Sequence, residues 1–249
     1  MSEICSIERD GGVGVIRMLR TDKHNAFNRE LDTAVAAALG ELDADPEISV
    51  AVLTGSGAAF SAGADMNEAV EAIAGKGRTE GMAQVYAACV HFSKPLIGAI
   101  NGLCYGGGAM VAILCDIRLA SDSAAFRFPG AAYGLVVGGS QLPRIVGAPR
   151  AKELMFTSKV VRADEALRIG LVNHVYPAAD LHAAAMEMAR DIAANSLPAL
   201  IATKAVVDRA TGSEAAAAAE GEWNQRLRTT PEHHARFRAA ADRVAKRGT

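Results

Sequence analysis

A run of three glycines, Gly106–Gly108, has the clearest potential for chemistry in this sequence. The run follows an apolar segment and precedes a predicted helix, and glycine has no Cβ to keep a ligand away from the backbone. The first N–H groups of a helix suit a negatively charged atom, because the helix dipole is positive at that end. Alone, the run fits a ligand-free strand-to-helix turn equally well. A second glycine turn upstream, in Ala62–Asp65, favours a binding role.

The remaining motifs argue against a nucleotide or metal cofactor. Gly55-Ser56-Gly57 follows a predicted strand like a dinucleotide-binding loop, but Phe60 stands where that loop needs its third glycine for close helix packing. We therefore discount a nicotinamide-dependent oxidoreductase. The six histidines show no HxH or HxxxH spacing, and the four cysteines form no CxxC pair. The sequence thus indicates no metal site, and we interpret the cysteines as reduced core thiols.

Two acidic residues follow the second glycine turn on one predicted helix. Glu68 and Glu71 are three residues apart, so they share a helical face. Acid pairs at this spacing usually belong to solvated surfaces, and that is the stronger interpretation here. Asp116 follows an apolar helix. We expect it to anchor hydrogen bonds rather than to catalyse.

The elements that must position these turns follow a repeated order. Residues 4–9 and 13–19 predict a hairpin around Asp10-Gly11-Gly12, and residues 29–42 predict a helix capped by Asn28. Three apolar runs then each lead through a short second strand and a glycine turn into a helix, the third helix starting at Ser140. The runs are Val50–Thr54, Leu96–Asn101 and Ile117–Ala120. This order indicates a ββα spiral in which successive glycine turns gather at one site.

The C-terminal part of the chain is predicted to be mainly helical. Beyond Gly147 the apolar spacing is helical, apart from a strand predicted at Leu171–Tyr176, and helices fill most of 178–246. Breaks in the pattern fall at Asn195–Pro198, Gly212 and Thr230-Pro231. This tail has too little apolar periodicity for a core of its own. We expect an α/β spiral core, residues 1–195, and a helical region, 196–249, that packs on the spiral and on a neighbouring subunit.

Composition narrows the class of protein further. Half of the 249 residues are hydrophobic, 22% are charged, and the formal net charge at pH 7 is −2. This balance is typical of a globular protein and gives no basic footprint for nucleic acid. No segment reaches the roughly 18 unbroken apolar residues that a membrane span requires, and the first residues lack the basic region of a signal peptide. Because the cysteines are interpreted as reduced thiols, we expect a cytoplasmic protein.

Together, these residues resemble the enoyl-CoA hydratase/isomerase (crotonase) superfamily over nearly the whole chain. The matching segments run in the family's order: Arg20–Phe27, Phe60–Asp65, Lys94-Pro95, Asn101-Gly102, Gly106–Gly108, Cys115-Asp116, Gly139–Arg144, Ala163 and Gly170–Val172. So many separate matches make the resemblance specific, which a glycine run alone would not do. The resemblance implies a crotonase-like ββα spiral and no cofactor other than coenzyme A, which enters as the thioester of the substrate.

The resemblance also implies which residues form the site. The family stabilises an enolate-like oxyanion between two backbone N–H groups, which correspond here to the amides of Ala64 and Gly107. Losing one such donor typically costs about 2.7–4 kcal/mol of transition-state stabilisation. The substrate-binding positions implied are Lys23, Ala62, Asp65, Met66, Met110 and Gly130. Of these, Lys23 lies where the family contacts the nucleotide end of coenzyme A, and an ammonium group suits a phosphate.

Two positions depart from the pattern of the family's hydratases. Those enzymes place one glutamate two residues after the glycine run and a second after a later proline, where this chain has Met110 and Gly130. Hydration needs a base for the water and an acid for the α-carbon, whereas an isomerase needs one carboxylate. Neither residue transfers protons. The stretch Gly134–Gly139 is also shorter than in ordinary members.

Three explanations of this departure remain open. In the first, the protein is a hydratase/isomerase-like enzyme that takes its acid/base group from elsewhere, for example Glu68, Glu71 or Tyr133, or uses a bound anion as the naphthoyl-CoA synthase branch does. In the second, it binds or delivers acyl-CoA without turnover. In the third, it is a thioester hydrolase or decarboxylase that works mainly by polarisation. The family's C-terminal helices form trimers and pairs of trimers, so a homotrimer or hexamer is expected.

Overall fold

The computed structural model describes residues 4–74 and 82–245, which form ten strands and eleven α-helices. The strands are β1 (Cys5–Asp10), β2 (Val13–Met18), β3 (Val50–Gly55), β4 (Ala59–Ser61), β5 (Leu96–Ile100), β6 (Leu103–Tyr105), β7 (Ile117–Ser121), β8 (Ala125–Arg127), β9 (Val161–Arg162) and β10 (His174–Tyr176). The helices are α1 (Arg29–Ala44), α2 (Met66–Ile73), α3 (Ala83–His91), α4 (Gly107–Leu114), α5 (Leu142–Val146), α6 (Ala148–Thr157), α7 (Ala163–Arg168), α8 (Leu181–Ala193), α9 (Leu197–Thr211), α10 (Glu214–Arg228) and α11 (Pro231–Ala245). Short 3₁₀ helices span Thr21–Lys23 and Ala131–Tyr133.

Two sheets share the strands, and the chain passes between them in a regular spiral. One sheet has the order β1-β2-β3-β5-β7-β10, and the other has the order β4-β6-β8-β9. Each turn of the spiral contributes a long strand to the first sheet, a short strand to the second, and then a helix. Because β4 and β6 are parallel neighbours, the turns that follow them, Ala62–Asp65 and Gly106–Gly108, lie at the same edge. The ββα spiral predicted from the sequence is confirmed.

Local signals in the sequence account for the first elements. The β1–β2 hairpin is antiparallel with Cys5 opposite Met18, and its turn uses Gly11 at φ +55°. The Asn28 side chain accepts a hydrogen bond of 2.9 Å from the Leu31 amide and so caps α1. Both predictions are confirmed.

The core lies on both faces of the six-stranded sheet. Strand β3 is buried along its whole length, as expected of a central strand in a parallel sheet covered on both sides. One face packs against α1, α3 and α4, and the other packs against α8 through Leu181, Ala185 and Ala189. Within the described ranges, no helix is long and apolar enough to cross a bilayer.

The cysteines are thiols in the part of the chain that the structure describes. Cys89, Cys104 and Cys115 are buried, and Cys5 is half-buried. Burial raises the pKa of the Cys115 thiol to about 12, and it raises the pKa values of Cys89 and Cys104 well above their usual range. These three thiols therefore stay protonated at neutral pH, which confirms their interpretation as core residues.

Two predicted elements differ from the structure. The strand predicted at Leu171–Tyr176 begins only at His174, because the amides of Leu171 and Val172 bond to the carbonyl of Ala166 and close the end of α7. Both residues are buried in that turn, so their apolar character reflects burial in a turn and not an extended strand. The third helix begins at Leu142 rather than at Ser140, whose amide bonds to Glu220 instead.

Polar contacts attach α9 and α10 to the spiral, whereas α11 also packs on it through an aromatic side chain. Lys204 of α9 donates 2.9 Å to Asp116, which also accepts 2.7 Å from the Leu96 amide, so Asp116 is confirmed as a structural anchor. Neither α9 nor α10 contains a buried residue. Helix α11 packs on α2 and on Tyr133, whose ring lies 5.6 Å from that of Phe237. The division at residue 195 stays a prediction.

Candidate active site

The two glycine turns singled out in the sequence touch each other. Gly63 has φ +96°, a conformation that residues with a side chain rarely adopt. A methyl group on Gly63 would lie 2.8 Å from the Tyr105 carbonyl oxygen and 2.9 Å from the Gly107 nitrogen. Gly63 is therefore required both for its backbone conformation and for the close approach of the second turn.

Each turn presents a backbone N–H group with no acceptor among the described residues. Around Ala64, the Phe27 amide donates 2.7 Å to Gly63 and the Asp65 amide donates 2.9 Å to Phe27, and the Ala64 amide lies between these two bonds unused. Gly107 is the first residue of α4, so its amide has no partner within the helix. Two unpaired donors on touching segments, one of them at a helix N-terminus, are chemically suited to a negatively charged oxygen.

A buried serine holds the first turn in place. The Ser61 hydroxyl donates 2.8 Å to the Asn25 carbonyl and accepts 3.1 Å from the Gly63 amide. Ser61 also explains the third glycine of the run, because a methyl group on Gly108 would lie 2.5 Å from the Ser61 carbonyl oxygen. Glycine at 108 thus lets α4 pack directly on β4.

The carboxylate of Asp65 is occupied by the fold. It forms an ion pair with Arg20 at 2.6 Å and caps α2 by accepting 2.9 Å from the Asn67 amide. Arg20 also donates 2.9 Å to the Ala26 carbonyl, so the pair ties the turn to the preceding loop. The structure therefore gives the Asp65 side chain a positioning role, and a substrate contact by this residue stays a prediction.

The remaining substrate-binding candidates near this turn lie at its margins. Ala62 and Met66 are half-buried on either side of the turn, and Lys23 is exposed at the end of the 3₁₀ helix Thr21–Lys23. An exposed ammonium is free to meet a phosphate, but no contact in the structure tests that role.

Met82 and Tyr86 cover the Gly107 turn, and sequence reasoning missed both. A methyl group on Gly107 would strike the Met82 sulfur and lie 2.9 Å from the Tyr86 hydroxyl. The Tyr86 hydroxyl contacts the Met82 sulfur at 3.5 Å. Burial raises the pKa of the Tyr86 phenol well above its usual range, so the phenol is neutral at physiological pH. No local pattern marks these residues, because they reach the turn through the packing of α3.

A cavity of about 270 Å³ begins beside Tyr86. Its wall combines α3, α4, the segment before α5, and α10. The lining residues are Tyr86, Ala87, Val90, His91, Met110, Leu114, Ser140, Gln141, Ala217 and Glu220. This space is mostly apolar and open to solvent, and Tyr86 connects it to the Gly107 turn.

The two positions that depart from the hydratase pattern have different environments. Met110 is half-buried in the cavity wall. Gly130 is buried in a tight loop, where a methyl group would lie 2.8 Å from the Leu135 carbonyl oxygen and 2.9 Å from the Val137 amide nitrogen. The Leu135 amide donates 2.8 Å back to the Gly130 carbonyl, which keeps this loop closed. The structure therefore leaves no room for a side chain at position 130.

None of the acid/base candidates named from the sequence lines the cavity. Glu68 is exposed and accepts 2.9 Å from the Arg29 amide at the start of α1, and Glu71 is exposed as well. The Tyr133 ring packs on Phe237, away from this wall. The hypothesis that one of them replaces the family glutamates gains no support from their placement.

Glu220 of α10 is the carboxylate that the structure places in the wall of this cavity. One carboxylate oxygen accepts 2.8 Å from the Gly138 amide, and the other accepts 2.8 Å from the Ser140 amide. Sequence reasoning missed Glu220, since about 80 residues separate it from these partners and a glutamate in an alanine-rich helix looks like a solvated residue.

Comparison with known proteins accords with this geometry. Residues 8–248 match the family model described as enoyl-CoA hydratase/isomerase. The chain is 38% identical over 209 residues to the short-chain-enoyl-CoA hydratase of Clostridium acetobutylicum, covering 82% of this chain and 80% of that protein. It is 37% identical over 198 residues to 4-chlorobenzoyl coenzyme A dehalogenase-2 of an Arthrobacter species, covering 76% and 72%.

The similarity extends to the three-dimensional structure. The crystal structure of an enoyl-CoA hydratase/isomerase from Pseudoalteromonas atlantica T6c matches with a TM-score of 0.89 and 26% sequence identity, covering 97% of this chain and 98% of that one. The fold is therefore the same along nearly the whole chain. Because the matched proteins carry different reaction names, the comparisons identify a family and leave the reaction to be argued from the site.

Proposed function

Because this chain belongs to the enoyl-CoA hydratase/isomerase family, we propose that it is an enzyme that binds acyl- or enoyl-CoA and stabilises the enolate oxyanion of the thioester with the Ala64 and Gly107 amides. The observation that carries the proposal is the contact between the two turns, in which Gly63 approaches Gly107 too closely for any side chain. Both amides lack a partner among the described residues, so the donors are in place before a ligand arrives.

The physical basis is the charge that develops on the thioester oxygen. When the α-proton leaves, the electron pair delocalises onto that oxygen, and preorganised N–H donors hold it without reorganising. Each donor is typically worth about 2.7–4 kcal/mol. The positive end of α4 acts in the same direction, and the cavity beyond Tyr86 takes the acyl chain.

The site supports a reaction that moves protons at carbon better than it supports ordinary hydration. Met110 and Gly130 supply no titratable group, and the loop at Gly130 has no room for one. A second candidate, binding of acyl-CoA without turnover, is favoured by the same two residues. The two candidates differ in whether a product forms.

A carbonyl vibration tests the oxyanion hole directly. Butyryl-CoA labelled with ¹³C at the thioester carbonyl is expected to bind, and its C=O stretch is expected to shift to lower frequency, because two N–H donors polarise the bond. Calorimetry measures the binding, and infrared difference spectroscopy measures the shift. Binding with an unshifted carbonyl band would remove Ala64 and Gly107 from the site, and absence of binding to every acyl-CoA tried would overturn the function as a whole.

We also propose a trimer or a hexamer as the working assembly. Helices α9 and α10 expose Val206, Val207 and Trp223 to 67%, 53% and 55%, three large apolar side chains that a monomer leaves in water. Light scattering at micromolar concentration is expected to give three or six times the chain mass of 25.9 kDa. Val206→Asp should lower that mass by placing a charge in the interface. A single-chain mass for the unmodified protein would contradict the proposal.

A further inference from the structure

The carboxylate of Glu220 occupies a place in the cavity that the proposed function leaves unexplained. Of the described residues that line the cavity, it alone carries a carboxylate. It is half-buried, on a helix that buries none of its residues in the core. Its position is therefore set by the cavity wall and not by general packing.

Both oxygens of Glu220 are held at the wall. The Gly138 and Ser140 amides each donate one hydrogen bond of 2.8 Å, one to each oxygen. A carboxylate oxygen has two lone-pair positions, so each oxygen keeps one with which to accept a further proton. A carboxylate fixed in this way is suited to act as a general base, because it loses little freedom when it reacts.

Glu220 also lies close to the position that Met110 leaves without an acid. A methyl group on Gly138, the residue that donates to Glu220, would lie 3.8 Å from the Met110 sulfur. Tyr86, which lines the same cavity, also borders the Gly107 turn. Tyr86 therefore connects the proposed oxyanion donor at Gly107 to the cavity that contains the carboxylate.

We propose that Glu220 is the proton-transfer residue of this enzyme; the inference rests on the proposed function of the Ala64 and Gly107 amides. The Glu220 carboxylate takes a proton from C2 of the bound acyl-CoA, and the C–H electron pair forms the C1=C2 bond of an enolate whose negative charge lies on the thioester oxygen. Return of the proton to C2 restores the substrate. With a 3-enoyl-CoA, delivery of the proton to C4 moves the double bond to C2–C3, and no water is consumed.

If Glu220 only held α10 against the loop, removing another contact between the same helix and loop should have a similar effect on the reaction. The chain contains such a contact, which serves as a matched control. Asn224, one turn later on α10, ties the helix to the same loop by accepting 2.9 Å from the Val136 amide and donating 2.8 Å to the Val136 carbonyl. Asn224 has no titratable group and does not line the cavity. Its removal weakens the contact between helix and loop without touching the proposed base.

Exchange of the α-protons of butyryl-CoA with D₂O tests the inference without assuming an overall reaction. The wild-type protein is expected to incorporate deuterium at C2. Mass spectrometry measures the incorporation over time. Glu220→Gln should lower the exchange rate by about 10²–10⁴-fold, the usual contribution of a positioned base, and leave the dissociation constant of butyryl-CoA nearly unchanged. Asn224→Ala should retain most of the exchange. The pH profile of exchange should change in Glu220→Gln and stay the same in Asn224→Ala.

The possible outcomes distinguish a failure of the proton-transfer role from a failure of the proposed function. If the wild type binds butyryl-CoA but exchanges no proton, or if Glu220→Gln and Asn224→Ala lower the rate alike with the same pH profile, the proton-transfer role is wrong and acyl-CoA binding stands. If butyryl-CoA and longer acyl-CoAs do not bind at all, the proposed function fails and this inference fails with it. Glu220→Asp covers the case in which Glu220→Gln does not fold: it keeps the carboxylate but withdraws it by one methylene, and should slow exchange while binding persists. Unchanged exchange in Glu220→Asp and Glu220→Gln overturns the proposal.

Discussion

Replacing Gly63 with alanine is expected to lower the rate of the proposed reaction by about 10²–10³-fold and to destabilise the protein at the same time. At φ +96° an alanine is strained, which costs about 1–3 kcal/mol. The added methyl also meets the Tyr105 carbonyl at 2.8 Å and the Gly107 nitrogen at 2.9 Å, both backbone atoms that cannot move aside as a side chain would. The two turns must separate, and displacement of one donor lowers the rate by about 10²–10³-fold.

Gly147→Ala is the control for the conformational part of this effect. Gly147 also has a positive φ, +76°, but a methyl group there has no neighbour within 4 Å. Thermal unfolding should show a loss of stability for both variants, whereas proton exchange and acyl-CoA binding should fall only for Gly63→Ala. If Gly63→Ala keeps wild-type activity, the contact between the turns is not the site.

Gly107→Val, unlike Gly63→Ala, is expected to impair the site while leaving the fold largely intact. Its side chain meets the movable side chains of Met82 and Tyr86 rather than backbone. Most of the core should therefore remain intact, and the ligand response should fall sharply because the displaced groups crowd the thioester. A folded Gly107→Val protein with the wild-type response to every acyl-CoA would show that the assigned site is wrong.

The second prediction with a large expected effect concerns hydration and the positions Met110 and Gly130, where the family's hydratases have glutamate. The wild-type protein is expected to hydrate crotonyl-CoA very slowly or not at all beside clear binding, because positioned acid/base groups contribute about 10²–10⁴-fold. Met110→Glu adds a second carboxylate to the cavity wall beside Glu220, and should raise hydration by as much as about 10²-fold. Met110→Gln, similar in size but unable to transfer protons, should give no rise. The rise should disappear in the Met110→Glu, Glu220→Gln double variant.

Glutamate at position 130 should have the opposite result. The loop there closes on itself, with backbone atoms of Leu135 and Val137 within 2.9 Å of any added Cβ. Gly130→Glu is therefore expected to lose about 1–3 kcal/mol of stability through overpacking and to gain no activity. Chemical denaturation and crotonyl-CoA hydration measure the two effects. Hydration by the unmodified protein at about 10 s⁻¹ or faster, an ordinary enzyme rate, would show that the catalytic acids have been misassigned.

The sequence predicted those parts of the fold that local signals determine. Asn28 caps α1, Gly11 turns the first hairpin, and the repeated strand, strand, glycine turn and helix order gives the spiral. The contact of the two glycine turns follows from that order, because β4 and β6 are neighbours. The signals were local, and they were sufficient because each element in the spiral packs near the next one along the chain.

The parts of the site that the sequence did not predict come from distant segments. Tyr86 reaches Gly107 through the packing of α3, and Glu220 reaches Ser140 across about 80 residues. A spacing rule cannot find such pairs, because neither residue differs locally from an ordinary surface or core residue. Leu171 and Val172 show the same limit in another form, since burial in a turn and burial in a strand select the same apolar residues.

The attachment of α10 bears on how this protein can change over evolutionary time. The helix completes the cavity wall through Ala217 and Glu220, yet it contributes no buried residue to the core. Substitutions on α10 therefore alter the chemical lining of the cavity with little effect on the free energy of unfolding, which the spiral determines. In a fold whose proposed oxyanion donor on α4 is fixed by tight packing, such a helix lets new reaction chemistry arise without first requiring a compensating gain in stability.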